Sequence, residues 1–347
     1  MAQAEDDGKD WRSVATRAPD EATLGTAHLR AQEEGRGRAA VSPGQIPAAG
    51  WRDILWRVVW SFSQDRVLAT AGSVAFFALL AVFPGVATIV SIYGLFSDPT
   101  AITSHTRLLA GILPEGVLSL IEDQIRQIAA QRTSTLGTAS FASLVIAFWS
   151  ANSGVSSLFD ALNVIYKEDE KRTLLRFYST TILFTLSGVV FALASIVILV
   201  VLPVFLDRLG LGSGTDAALR IARWPALFVV VSLSLSLVYR YGPSRREAKW
   251  RWVSSGGMVA AFLWVGASAL FAFYVASFDS YNRTYGSLGA VIGFMTWIWL
   301  SIVIVLLGAE LNSEMERQTA ADSTEGQPKP LGRRRAVAAD TVGPAQP

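Results

Sequence analysis

The sequence predicts an all-α, polytopic membrane protein with six transmembrane helices, amphipathic interfacial helices and disordered polar tails. Three observations predict it. The first is a series of long apolar stretches: Ala69–Phe96, Leu136–Leu162, Tyr178–Leu206, Trp224–Tyr239, Trp252–Phe278 and Gly286–Leu311. A hydrocarbon core about 30 Å thick is crossed by about 20 helical residues, and the six stretches approach or exceed that length. The second is the scarcity of charge. Only 17% of residues are charged and 51% are hydrophobic, against about 25% charged in an ordinary soluble domain. The third is the absence of a polar face. Runs such as Ile182–Leu206 and Ala290–Gly308 show neither the helical nor the alternating polar spacing that a water-facing element needs.

The elements follow in order. Residues 1–48 read EDDGKD, RAPDEAT, AQEEGRGR and SPGQ, too poor in large apolar groups to offset the entropy of ordering, which predicts a disordered tail. From Gly50 to Arg66, the residues Trp51, Ile54, Leu55, Val58, Val59 and Phe62 recur at helical spacing, opposite Arg52, Asp53, Arg57 and Gln64. This is an amphipathic helix at the membrane surface or leading into the first span, with Trp51, Trp56 and Trp60 suited to headgroup level. In the first span Gly72, Ser73 and Ala75 favour close packing, and Pro84 removes a backbone hydrogen bond, predicting a kink or break. The longest connection, about 97 to 135, carries Leu113, Val117, Leu118, Ile121, Ile125 and Ile128 opposite Glu122, Asp123, Arg126 and Gln127. A second amphipathic helix is expected there, over one mouth of the bundle.

The second span is the most polar, with Ser150, Asn152, Ser153, Ser156 and Ser157 around Gly154. Small hydroxyl residues of this kind pack helices together; alternatively Trp149, Asn152, Ser153 and Ser156, with Pro84, line a polar cavity at mid-membrane. A GLGSG turn separates spans three and four, and Gly256, Gly257 and Ala260 favour close packing in span five. The connection after it holds Tyr274, Tyr281 and Tyr285, which suit an aromatic belt, with Asn282 and Arg283 placed to greet a polar headgroup or anion. The membrane domain is expected over 49–317, and a second disordered tail over 318–347.

Orientation is read from basic residues near the helix ends. Arg52, Arg57, Arg66, Lys167, Lys171, Arg172, Arg176, Arg240, Arg245, Arg246, Lys249 and Arg251 fall on the side shared with the tails. The longer opposite connections hold Arg107, Arg126, Arg132, Arg208, Arg220, Arg223 and Arg283. Twelve against seven places both termini in the cytoplasm. No apolar core lies within the first residues, so no cleavable signal peptide is expected and the first span serves as an uncleaved anchor.

Charged groups inside a bilayer cost at least about 2.5–3.5 kcal/mol each, so those near span interiors need a reason. Asp160, Asn163, Glu310 and Asn312 close the second and sixth spans, and Arg66, Arg240 and Arg251 are the natural counter-charges. The preferred reading is a cytoplasmic polar cluster that staples the helices; capping in headgroup water or a proton role are the alternatives.

Four ordered motifs also carry a resemblance. They are AGSVAFFALLAVFPGVATIV, WSANSGVSSLFDALNVIYKEDEKRTLLR, YRYGPSRREAKWRWVSSGGMVAAFLW and YNRTYGSLGAVIGFMTWIWLSIVIVLLGAELNSE. Across about 50–316 the chain resembles the YihY/BrkB family of bacterial inner-membrane proteins, most specifically at Tyr285–Ala290 and Gly308–Asn312. The resemblance implies a six-helix protein of the bacterial cytoplasmic membrane, a link to envelope integrity, virulence and serum resistance, and a role in moving lipids or other envelope molecules. It supplies no catalytic or ligand residues. The family often bears the label ribonuclease BN, but the residues speak against nuclease chemistry. The chain has no cysteine and only two histidines, His28 and His105, far apart, and its intramembrane acids are spaced singly, so neither a metal cluster nor an acid–base pair is built. The basic inner connections follow from membrane orientation rather than from a nucleic-acid groove with stacking aromatics.

The sequence therefore predicts a transporter or flippase-like protein for a lipid or other amphiphile, with no cofactor and no nucleic acid. Its expected partners are membrane lipids, with anionic headgroups drawn to the cytoplasmic basic residues at about 1 kcal/mol each. A non-catalytic envelope scaffold, binding a second copy or another envelope protein, is the alternative. An intramembrane enzyme lacks a nucleophile–base pair, and direct ATP use lacks a GxxxxGK[ST] loop.

Overall fold

The computed structural model describes residues 21–96, 133–196, 213–277 and 279–346, with their side chains except at 21, 83–96, 133–140, 192–196, 213–224, 227 and 275–290. All named elements among the described residues are helical. They are α1 (Glu21–Arg30), a 3-10 turn (Pro43–Gln45), α2 (Ala48–Gln64), α3 (Val67–Phe96), α4 (Thr133–Tyr166), α5 (Leu174–Ile196), α6 (Ser213–Tyr241), α7 (Trp250–Ser277), α8 (Asp279–Glu316) and α9 (Val337–Asp340).

The six apolar stretches fall on α3 to α8, largely or wholly within those helices among the described residues. By length and composition α4, α5, α7 and α8 can each cross a bilayer, and the bent pair α2–α3 makes a fifth. On α6 the described apolar part, Phe228–Tyr241, is shorter, so the expected six spans exceed the four or five that these helices meet. Their outer faces are apolar and uncovered: on α7 Phe262, Leu270 and Phe273 are 72%, 71% and 74% exposed. Uncovered apolar surface on this scale marks a face that meets another apolar phase.

The bundle is organised around α8, which packs against α7, α3, α2 and α4; α3 lies along α4, α4 along α5, and α6 along α7. Phe159, Leu162 and Tyr166 of α4, Tyr239 of α6, Val253 of α7 and Leu306 of α8 are buried together. Small residues set the crossings. A methyl group added at Gly256 would overlap the Gly308 carbonyl and the Asn312 side chain, and one at Gly257 would overlap Ser236. Close packing predicted for span five is therefore present, whereas Gly72 on α3 meets open space.

The bend in the first span lies before it. Helices α2 and α3 meet at 62° across Asp65 and Arg66, where Arg66 takes the left-handed conformation (φ 49°). That conformation is uncommon for a residue with a Cβ, and here it ends α2 and lets the Arg66 carbonyl accept from Ala69 and Thr70, each at 2.9 Å. The helical run passes position 84 without interruption.

The two faces of helix α2 are not the predicted ones. Its protein-facing side buries Asp53 and Arg57 beside Ile54 and Val58, while Leu55, Trp56, Val59 and Trp60 point outwards. The charged residues turn inwards because their partners are protein. Arg57 Nε donates to Glu314 Oε2 of α8 at 2.5 Å, and Asp53 accepts from Arg36 at 2.6 Å.

Where composition predicts disordered tails, residues 21–48 and 318–346 pack against each other and against the helix ends. Arg38 donates to the carbonyls of Gln318 (3.2 Å) and Gly343 (2.9 Å), and Thr319 Oγ1 donates to Ala40 (2.6 Å). Buried Arg334 donates to Ala339 (2.6 Å) and Ala320 (2.7 Å). Hydrogen bonds from ionised arginines to peptide carbonyls are about twice as strong as neutral ones, so these segments hold together with little apolar burial. The connections after α4 and α6 sit at the same end: Val337 N–H donates to Glu168 (2.6 Å) and Lys249 N–H to Ser323 (2.8 Å). The two tails and the two basic connections thus share one end of the bundle.

Two expectations differ at the opposite end or lie outside the description. The connection between spans five and six is largely helical, since α8 begins at Asp279; Tyr274 is exposed, and the side chains of Tyr281, Asn282, Arg283 and Tyr285 lie outside the described residues. So do the amphipathic segment Leu113–Ile128 and most of the GLGSG turn.

Candidate functional site

Two polar regions interrupt the apolar bundle, and both involve α4. The first is its mid-helix face. Asn152 Oδ1 accepts from Thr185 Oγ1 of α5 at 3.3 Å. Ser153 and Ser156 donate back to the carbonyls of Trp149 and Asn152, each at 2.9 Å. Ser150 is buried, and its hydroxyl has no hydrogen-bond partner. A methyl group added at Gly154 would lie 3.7 Å from Phe77 and Ala78 of α3, so the α3–α4 contact runs along this side. Asn152, Ser153, Ser156 and Ser157 are half-buried and Asp160 is exposed. Of the residues predicted to line a cavity, Trp149 instead points outwards, 63% exposed, and Pro84 sits on α3 with its side chain outside the described residues. Asn152, Ser153 and Ser156 share one face of α4.

The second region is a polar layer at the tail end. The structure divides the predicted cluster. Asn312, fully buried, staples α7 to α8: its Oδ1 accepts from Gly256 N–H (2.9 Å) and its Nδ2 donates to the Val253 carbonyl (3.1 Å). Asn163 ties α4 to the connection after α6, accepting from Ser244 N–H at 2.7 Å and donating to Glu170 at 3.0 Å. Glu310 is buried in the layer. The basic residues chosen as counter-charges do not meet these acids. Arg66 and Arg251 are exposed, because the left-handed turn aims Arg66 away from the bundle and Arg251 lies on the outer face of α7. Arg240 pairs with Glu247 and Glu325, both at 3.1 Å, and lies 4.8 Å over the Trp250 ring.

Neighbouring residues supply the contacts instead. Lys167, itself left-handed (φ 57°) at the end of α4, pairs with Asp65. Arg245 and Glu316 form a two-point ion pair at 2.9 and 2.7 Å with both side chains fully buried, and the Arg245 guanidinium lies 4.1 Å over the Tyr166 ring. Burial works against the Arg245 charge, but Glu316 and Tyr166 beside it outweigh that and hold its pKa above the ordinary value. Glu170 shows the same balance. Burial raises its pKa, yet the bonds from Arg172, from the Arg172 backbone N–H, and from Asn163 and Ser244 bring it down to about 2. Glu168 keeps a raised pKa because burial outweighs Lys171 and the Val337 N–H. The sequence signal for these residues was present but coarse. Charges just beyond an apolar run can face in or out, and a shift of one residue, from Asp65 to Arg66, reverses the answer.

A family model described as Virulence factor BrkB matches residues 58–332. Among curated relatives, YfkH of Bacillus subtilis (strain 168), named only as ribonuclease-like, is 29% identical over 256 residues, covering 72% of this chain and 90% of that protein. A UPF0761 membrane protein of Aeromonas salmonicida (strain A449) is 30% identical over 262 residues, 73% of this chain and 85% of its own length. Another from Cronobacter sakazakii (strain ATCC BAA-894) is 27% identical over 287 residues, 80% and 94%. No solved structure matches. The matched segment runs from within α2 through all the long helices into the C-terminal tail, and the chain is accordingly a multi-pass membrane protein belonging to the BrkB family.

Proposed function

We propose that the protein resides in the bacterial cytoplasmic membrane with both tails in the cytoplasm, and that it moves a lipid or another amphiphile across the bilayer without acting as an enzyme. One observation carries this reading: the polar face of α4 is left partly uncovered. Measured back from the helix end at Tyr166 with a rise of about 1.5 Å per residue, Asp160 lies about 9 Å and Asn152 about 21 Å inwards. Half-buried Asn and Ser side chains and an exposed Asp at those depths are costly against acyl chains. They are accommodated if a hydrated headgroup or water reaches along the face while acyl chains stay in lipid. At the tail end this face approaches Arg172, which lies 5.4 Å over the Phe159 ring of α4, and Arg176 is exposed at the start of α5. Both favour an anionic headgroup at about 1 kcal/mol per basic residue near the surface. The preponderance of basic residues at the tail end supports the cytoplasmic assignment.

The test is transbilayer movement of a fluorescent anionic lipid in liposomes carrying the purified protein. Movement above that of empty vesicles is expected, with a several-fold loss in Asn152→Leu. Rates equal to empty vesicles for every anionic lipid tried contradict the proposal.

A further inference from the structure

Residues 341–346 thread through a groove between the N-terminal segment, α2 and the end of α8, and guanidinium groups take four of their carbonyls. Arg30 donates to Val342 (3.0 Å), Arg38 to Gly343 (2.9 Å) and Arg57 to Pro344 (3.0 Å), while Arg36 and Arg52 reach Gln346 (3.4 and 3.5 Å). In return the Gly343 N–H donates to the Arg317 carbonyl (2.8 Å) and the Gln346 N–H to Asp53 (2.9 Å). The groove thus binds main chain, as backbone-reading peptide sites do. One position is also selected by size. A methyl group added at Gly343 would lie 2.7 Å from Cζ and Nε of Arg57. That guanidinium cannot give way, because Glu314 (2.5 Å to its side chain, 3.1 Å to its carbonyl) and Gln318 (2.7 Å) hold it from the other side.

The hold is reversible in its physics. Val342 is buried, but Pro344, Ala345 and Gln346 are only half-buried, so departure exposes little apolar surface. An empty groove strands no charge. Arg36, Arg38 and Arg57 keep Asp53, Glu33 and Glu314 as ion partners, and Arg30 and Arg52 reach water. The preceding stretch differs, since residues 320–340 fold around Arg334, which is itself buried among their carbonyls. We propose that the arginine-lined groove is a peptide-binding site with residues 341–346 as its exchangeable ligand. This segment then acts as a latch joining the N-terminal segment, α2 and α8. The site stands independently of the cargo reading.

The experiment uses Gly343→Val in the full chain, together with the capped peptide Thr-Val-Gly-Pro-Ala-Gln carrying a fluorophore. Amide exchange across 342–346 is expected to be at least tenfold faster in the variant than in the natural chain. The labelled peptide is expected to bind the variant saturably and the natural chain not at all, because the tethered segment outcompetes it by effective concentration. A peptide with valine in place of glycine is expected to bind at least tenfold more weakly. Unchanged exchange in Gly343→Val, or a released segment with no saturable peptide binding, overturns the proposal. A chain cut after Asp340 is the second variant, expected to keep its helix content and to bind the same peptide. Failure of both variants to fold also overturns it, since an exchangeable ligand is not required for the fold.

Discussion

Asn312 shows what a single buried amide does in this bundle. Its carbonyl oxygen takes the Gly256 N–H and its amide donates to Val253, at a crossing so tight that Gly256 admits no side chain. Asn312→Leu removes both inter-helix bonds, each worth about 0.5–1.5 kcal/mol, measurable by thermal unfolding in detergent. Glu170 makes an acid-side prediction. Its folded pKa of about 2 lies below the unfolded value of about 4.3, so its contribution is complete above the unfolded value and is lost as pH falls towards 2. Glu170→Gln is expected to flatten that part of the stability–pH curve. At this scale the sequence was partly legible. Asn163, Glu310 and Asn312 stand out because polar groups at the end of an apolar run need a reason. Their partners did not stand out, since Arg245 and Lys167 lie on connections whose path only the folded chain fixes.

At the scale of elements, α2 is the most instructive difference. Periodicity gave its existence correctly but not its faces: it set Ile54 and Val58 opposite Asp53 and Arg57, which the fold buries together, and it does not say which side meets protein. The answer came from the packed tails and α8, which supply Arg36, Glu314 and Gln318 as partners for Asp53 and Arg57. Leu55, Trp56, Val59 and Trp60 are left outwards. With tryptophans at headgroup level, lipids brominated high on the acyl chain are expected to quench Trp56 and Trp60 in variants retaining either one alone, more strongly than lipids brominated near the chain end. Equal, weak quenching by both would place α2 in water. The bend before α3 was similarly out of reach, because it depends on Arg66 adopting a left-handed conformation that a non-glycine residue rarely takes.

For the whole molecule, the fold class was readable from composition and run length, because hydrocarbon demands long apolar helices with internally satisfied backbones. The tails were not, because their order comes from buried arginines bonded to peptide carbonyls rather than from the apolar burial that composition measures. The central claim is that lipid covers the outer faces of α5 and α7 while the tail end meets water. The chain has no cysteine, so single-cysteine reporters are clean. The most direct measurement is labelling of intact membranes with a water-soluble maleimide in Leu186→Cys, Phe262→Cys, Leu270→Cys and Lys329→Cys. The account predicts that only Lys329→Cys reacts before denaturation, although all four positions are surface-exposed on the protein itself. Rapid labelling of Phe262→Cys and Leu270→Cys in intact membranes would contradict it.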